Sequence, residues 1–287
     1  MATLSARSLS GLPEVRAGDD LATLILGALN ADRSRETRAC GAGRFGDASE
    51  ASVSPIGPRF GQPHAPLRDG EIVAIAHKVV SKAEGAVVAL AGVEPSTRAH
   101  RLAIEQGKDA RAVQVVLDQS QEVLRAANGV LICRTHHGFV CANAGVDASN
   151  AAREDGTDTL IVLPRDPDAS ARLLRARLRE LTGAQVAVLI TDSFGRAWRH
   201  GQCDIAIGCA GLQPLDDWRG RTDSAGLQLR ATWLAVADAI AATADLARAK
   251  DSREPVVILD GLERFVTAED GPGAVALLRP LAEDLFR

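Results

Sequence analysis

Val186-Ala187-Val188-Leu189-Ile190-Thr191-Asp192-Ser193-Phe194-Gly195-Arg196 is the stretch on which the reading of the fold turns. The unbroken apolar run Val186–Ile190 predicts a buried strand, extending to Thr191. It runs straight into an acid, a hydroxyl, a glycine and two arginines, Arg196 and Arg199. An acidic residue at the carboxyl end of a buried strand is a favoured place for ligands and metals. Asp192 with the Ser193 hydroxyl has the carboxylate-plus-hydroxyl chemistry that holds Mg²⁺ beside phosphates. Arg196 and Arg199 are placed to clamp an anionic substrate. The bland alternative is a charged turn with surface salt bridges, worth little energetically. The combination favours function.

Outward from this strand, a continuous apolar run predicts another over Glu71–Ser81, followed by a turn at Lys82–Gly85 and a strand at Ala86–Leu90. Further strands are expected at Ala112–Leu117, Val130–Arg134, Thr159–Leu163 and Val256–Leu259. Leu21–Leu29 predicts a short helix. Asp166-Pro167 reads as an N-cap with proline at the first helical position, and Gly183 as the C′ glycine that ends the same helix. Leu173, Leu174, Leu178 and Leu181 would form its apolar stripe. Two more helices are expected at Leu227–Arg248 and Ala274–Phe286. Asn30–Arg68 is rich in Gly, Ser, Pro and Arg without period, and reads as a loop-rich insertion. Strands and helices intersperse without clean β-α-β alternation, which predicts an α+β fold of mixed β-sheets with packed helices. One unit over residues 1–287 is expected, with a division into two subdomains left open.

The 287 residues carry a formal net charge of −4 and only 3% aromatics, with no tyrosine. Single-stranded nucleic acid is usually held on aromatic platforms in basic grooves, so no nucleic-acid partner is expected. No apolar run approaches the roughly 20 residues that span a bilayer, so no membrane association is expected. Met1–Arg7 lacks the apolar core of a secretory signal. Five cysteines without a C-x-x-C pair predict buried thiols in a reducing, cytoplasmic setting. Neither G-x-G-x-x-G nor G-x-x-x-x-G-K-[ST] is present, so a nucleotide would not be held by a common phosphate loop. The absence of G-x-S-x-G counts against an α/β-hydrolase.

Val140–Asn150 follows a strand-like run with small residues that let backbone approach a ligand, and Asp147 offers a hard oxygen for Mg²⁺ or Mn²⁺. Taken alone, that segment is explained slightly better by an Asx-rich turn with an N-cap at Ser149 or Asn150. Lys82, just after the second apolar run, can act as a point charge on a phosphate, although a lysine in a turn is more often solvated. Gly11-Leu12-Pro13-Glu14-Val15 alone reads as a plain turn.

Taken in order, these segments resemble the coenzyme F420-0:L-glutamate ligases, the gamma-glutamyl ligases of F420 biosynthesis. The resemblance rests on Gly11–Val15, Val79–Gly85, His137–Asn150, Leu163–Asp168, Thr191–Arg199 with Gly201-Gln202, and Ala206–Leu212. It implies the family fold as an intertwined homodimer, and a ligase dependent on GTP and on Mg²⁺ or Mn²⁺, two ions per site, with K⁺ as activator. F420-0 and L-glutamate would be its substrates. By position, Asp147 and Asp192 would be metal ligands, with Ser193 on a second metal. Leu12, Pro13, Glu14, Val15, His77, Lys78, Lys82 and Asn150 would surround GTP, while Lys82 and Arg196 would assist catalysis. Relatives often have hydroxyl residues where this chain has His77-Lys78, and some offer an acidic ligand near the position of Lys250. Some also carry a C-terminal redox domain, which is not expected in a chain ending at Arg287.

Forming an amide from a carboxylate needs an activated acyl group, most simply an acyl phosphate made from GTP. Two other readings compete with this one. A metal-dependent phosphohydrolase would use the same aspartates without an acceptor amine. A non-catalytic deazaflavin carrier would have no use for two strand-end aspartates.

Overall fold

The computed structural model describes residues 3–41, 67–148 and 158–284. The chain begins with β1 (Ser5–Ser8), α1 (Leu21–Gly41), β2 (Ile72–Ala76), α2 (His77–Ala83) and β3 (Val87–Ala89). Next come α3 (Thr97–Gln106), α4 (Ala110–Asp118), β4 (Ser120–Ala127), β5 (Val130–Thr135), β6 (Val140–Ala142) and β7 (Thr159–Ile161). The remainder holds α5 (Pro167–Thr182), β8 (Ala187–Arg196), β9 (Arg199–Ala210), β10 (Leu215–Asp217), β11 (Trp233–Ala235), α6 (Val236–Ala247) and β12 (Val256–Asp260). The class is α+β with mixed sheets.

The central sheet has the order β1-β12-β2-β8-β9. Among the described residues only β2 and β8 pair in parallel, in the register Ile72↔Ala187 to Ala76↔Thr191. Alternation of period two sends their side chains to two separate cores. Val73, Ile75, Val188, Ile190, Val256 and Ile258 pack under α1 and α5. Ile72, Ala74, Ala187, Leu189, Val257 and Leu259 pack against Val236, Ile240 and Ala244 of α6. The sheet is therefore covered on both faces, and each fully buried Val, Leu or Ile contributes about 1.5–3 kcal/mol. The parallel pair requires a long crossover. That crossover carries two small antiparallel sheets: β4-β5-β6 packs with α3 and α4 around Leu131 and Cys133, and β3-β7 packs on Val115 of α4 through Val88 and Leu160.

The capped helices follow the sequence signals. Asp166 accepts from Ala169 N at 2.9 Å, and Gly183 closes α5 at φ 74°. Gly208 of β9 lies so close under Pro167 that a Cβ there would stand 2.4 Å from its carbonyl oxygen, so only glycine permits this helix–sheet approach. The stripe of α5 differs from expectation: Leu173 and Leu181 are exposed, while Ser170, Ala171, Arg175 and Leu178 are buried.

Other expectations are corrected. The apolar run Glu71–Ser81 is strand only to Ala76, where its ladder with β8 ends; the chain then turns into α2. Ala112–Leu117 lies within helix α4, begun by an Asp109 cap that accepts from Arg111 N at 2.7 Å. The helix expected over Leu227–Arg248 starts only at Val236, because Trp233–Ala235 pairs with β10. Ala274–Phe286 is not one helix: Ala274–Leu277 and Leu281–Glu283 are separate 3₁₀ turns, and Phe286 lies outside the described residues. The Asn30–Arg68 stretch is helical through Gly41, and residues 42–66 lie outside the described residues. Among the described residues no helix is long and apolar enough to cross a membrane.

Candidate active site

Because β2 and β8 are parallel neighbours, both deliver their carboxyl ends to one edge of the sheet. His77 follows β2 directly, and Asp192 stands one residue past the last β2 pairing partner, Thr191. The His77 Nε2 lies 3.3 Å from Asp192 Oδ1, with the imidazole only 2% exposed. That nitrogen has no hydrogen bond of acceptable geometry, although it is buried and directed at the carboxylate. The other ring nitrogen is 3.4 Å from Ser81 Oγ, one helical turn on. Asp192 Oδ1 also accepts from Ser193 N at 2.8 Å.

Asp147 arrives from the crossover. Its backbone is fixed by reciprocal hydrogen bonds with Ile161 at 2.9 Å each, which tie it to β7. Ahead of it, Asn143 and Ala144 adopt positive φ and turn the chain out of β6. Lys78 Nζ meets Asp147 Oδ2 at 2.6 Å. Lys82 Nζ meets Glu14 Oε1 at 2.5 Å, and Gly18 N donates to Ala83 O at 2.8 Å. The N-terminal segment thus lies along α2, with Val15 buried and Leu12 packed on the core. One short helix gathers three distant pieces of sequence. His77 faces Asp192, Lys78 faces Asp147, and Lys82 faces Glu14.

Behind Asp192 lies a network that sequence reasoning missed. Asp204 of β9, 2% exposed, accepts from Thr191 Oγ1 at 2.8 Å and from Ser193 Oγ at 2.6 Å, and pairs with Arg248. Burial alone would raise the Asp204 carboxyl. The Ser193 hydrogen bond, the Arg248 charge and the Thr191 hydrogen bond outweigh it and hold the group below the ordinary carboxylate range. Arg248 also donates to Thr191 Oγ1 at 2.8 Å and to Pro255 O at 3.1 Å. Lys250 Nζ donates to Ser193 Oγ at 2.7 Å and to Asp245 Oδ1 at 3.1 Å. The β8–β9 pairing Ser193↔Asp204 was the one available signal, because a strand leaving Arg199 had to return alongside Asp192.

Not every expected residue joins the group. Arg196 is exposed on the β8–β9 hairpin and donates to His200 O at 2.7 Å, four residues beyond Asp192. Asn150 lies outside the described residues. Pro13 is exposed beside Glu14. Cys141 of β6 packs near Asp192; burial first, then the Asp192 and Cys133 charges, push its thiol up to about 12.

Among the described residues no three His, Cys, Asp or Glu side chains form a ready metal cage. A phosphate-bound Mg²⁺ or Mn²⁺ does not need one, since it keeps several waters and takes one or two carboxylates. Asp192 and Asp147 fit that requirement, and the buried His77 Nε2, 3.3 Å from Asp192 Oδ1 without a hydrogen bond of acceptable geometry, adds a polar atom beside them.

A family model described as F420-0:Gamma-glutamyl ligase matches residues 47–261. Over 285 residues the chain is 39% identical to a Coenzyme F420:L-glutamate ligase of Methanothermobacter thermautotrophicus, covering 99% of each. A Coenzyme F420:L-glutamate ligase of Methanopyrus kandleri is 45% identical over 225 residues, 78% of this chain and 88% of that protein. That of Methanocaldococcus jannaschii is 41% identical over 223 residues, 77% of this chain and 86% of that protein.

Proposed function

The chain belongs to the F420-0:gamma-glutamyl ligase family, and from that premise we propose that it joins L-glutamate to F420-0 by an amide bond and then extends the product by gamma linkage. GTP is the energy source. The observation that supports this most is the convergence of Glu14, Asp147 and Asp192 on one helix, α2.

In this reading the terminal carboxylate of F420-0 attacks the γ-phosphorus of GTP, giving an acyl phosphate and GDP. The glutamate amine then attacks the acyl carbon, loses a proton, and inorganic phosphate leaves. Divalent cations, two in the family pattern, would be held by Asp147, Asp192 and Ser193, and would neutralise charge on the β- and γ-phosphate oxygens. Lys78 and Lys82 present ammonium groups on consecutive turns of α2, where anionic phosphates can replace Asp147 and Glu14 as partners. The Leu12–Val15 backbone, His77 and Asn150 complete the nucleotide's surroundings, and K⁺ acts as activator. Arg196 reaches substrate from the hairpin only if the loop there changes partners, since its guanidinium is bonded to His200 O. A homodimer in the cytoplasm is part of the same proposal. Trp198, Leu227, Trp233 and Leu234 expose apolar surface on the hairpin and on the arm around β11, which a second copy would cover.

Release of GDP measured with each substrate omitted in turn tests the reading, with product mass as the second readout. GDP should form only when glutamate and an F420-0-type acceptor are both present, and the product should gain a glutamyl residue. Equal GTP cleavage without glutamate would establish the phosphohydrolase instead, and cofactor binding without turnover the carrier.

A further inference from the structure

Ser193 stands next to Asp192, yet its hydroxyl is already engaged on both sides by protein. Its proton goes to Asp204 Oδ1 at 2.6 Å, so its lone pairs turn outward. There they meet not open space but the Lys250 ammonium, at 2.7 Å. The same ammonium bonds Asp245 at 3.1 Å and stands 3.7 Å from Asp204 Oδ1. Two carboxylates, Asp204 and Asp245, face two cations, Arg248 and Lys250, so the cluster is neutral without any added ion. A divalent ion on the Ser193 oxygen would be repelled by an ammonium sharing that oxygen and would find both carboxylates of the cluster, Asp204 and Asp245, already compensated.

We infer that the Lys250 ammonium occupies the cation position at Ser193, so that a single divalent ion is taken, at Asp147 and Asp192. The inference rests on the metal-dependent ligase reading above and departs from the two-ion pattern the resemblance implies. A lysine suits the task physically. It is a compact point charge with three donors, two of them engaged by Ser193 and Asp245, and it can approach a phosphoryl oxygen from an exposed position on a flexible stem. Unlike a second ion, such a cation cannot be lost to a chelator or exchanged between metals. Asp204 is then a positioning residue, since it fixes the direction in which Ser193 presents its oxygen.

The experiment counts Mn²⁺ bound per chain by equilibrium dialysis in the presence of a non-hydrolysable GTP analogue. It compares the unaltered chain with Lys250→Glu and Lys250→Gln, and follows Mn²⁺ spin coupling by electron paramagnetic resonance. Lys250 is mostly exposed, so both variants should keep their melting temperatures, which is checked alongside. The expected result is that Lys250→Glu binds one ion more than the unaltered chain and shows a coupled Mn²⁺ pair. Lys250→Gln, which removes the charge without adding a ligand, should gain the extra ion only at much higher Mn²⁺. Equal counts in the unaltered chain and in a folded Lys250→Glu variant would overturn the inference, as would a coupled pair in the unaltered chain. The difference between the proteins reads Lys250, whereas the unaltered chain's own count reads the metal dependence of the ligase, so the two can fail separately.

Discussion

Arg175 and Arg248 are both buried guanidiniums, and they are buried for different ends. Arg175, in the middle of α5, donates to Val186 O, Thr267 O and Ala268 O and pairs with Asp270 at 2.7 Å. Its partners are mostly carbonyls, fixed in place, and the network stops there. Arg248, just after α6, pairs with an almost fully buried carboxylate whose other oxygen holds Ser193, and beyond Ser193 lies Lys250. This second network runs from the core to the surface through a hydroxyl beside Asp192. The contrast separates a buried charge that joins elements from one that aims a side chain. Burial and pairing alone do not distinguish them; what lies at the end of the chain of hydrogen bonds does.

The largest effects should come from breaking each network at its buried member. Arg175→Met leaves carbonyl acceptors without donors, which costs about 3 kcal/mol at 1–3 kcal/mol per orphaned group. For a chain of this size the melting temperature should fall by roughly 6–12 °C. Asp204→Asn leaves Arg248 buried against a neutral amide and should lose a comparable amount. Turnover measured well below melting distinguishes the two, because only Asp204→Asn should lower the apparent Mn²⁺ affinity. If Arg175→Met lowers it as well, the two networks are not separate.

Next in size come the carboxylates at the sheet edge. Asp192→Asn and Asp147→Asn keep shape and one oxygen but remove charge, so ligation should slow by roughly a hundredfold or more, the scale on which lost electrostatic stabilisation usually shows. Melting temperatures should hold, since neither carboxylate is a core contact. Turnover against Mn²⁺ concentration checks this. Unchanged rates at low Mn²⁺ in either variant would remove that aspartate from the site.

The smallest effect is expected at Asp238, a half-buried carboxyl. It accepts from Ala206 N at 3.0 Å, and burial pushes its carboxyl up, only partly opposed by that hydrogen bond. Asp204 and Asp238 therefore have opposite signs in acid. The lowered Asp204 contributes stability above its unfolded value near 4, and this is lost as pH falls through its still lower folded value. The raised Asp238 contributes below its unfolded value, and this is lost as pH rises through its higher folded one. Asp238→Asn should thus be neutral or slightly stabilising at pH 7, with the difference from the unaltered chain shrinking toward pH 4 in denaturant titrations. A clear destabilisation at pH 7 would mean that the Asp238 charge has a partner after all.

Local signals in the sequence were accurate where they were chemically explicit. Asp166, Pro167 and Gly183 mark the ends of α5, and the apolar run before Asp192 marks β8. They failed where tertiary structure overrode a short pattern. In α2 two valines follow an unbroken strand, no side chain caps the helix, and seven residues are too few for periodicity to appear. In α4 the Asp109 cap was readable, but three valines outweighed it. Two of the four α5 leucines misled: Leu178 is buried and Leu174 packs on the core, but Leu173 and Leu181 are exposed, and Arg175 shares the buried face with Leu178. At the site, Asp147, Asp192 and the α2 residues were legible as short motifs. Asp204, Arg248 and Lys250 were not, since each acquires its meaning from partners 11–57 residues away.

The parallel pairing of β2 with β8 also governs which changes of length the chain can absorb. Everything between Ala76 and Ala187 is an excursion that departs from one strand and rejoins the sheet at the start of its neighbour. An inserted or deleted residue in a surface turn of that excursion, such as Asn128-Gly129, leaves His77 and Asp192 where they are. A single residue gained inside β2 or β8 exchanges the two faces of the sheet and slides one end of the pair past the other. The excursion, and with it the surroundings of Asp147, can therefore change in length while the five-pair ladder between β2 and β8 stays fixed.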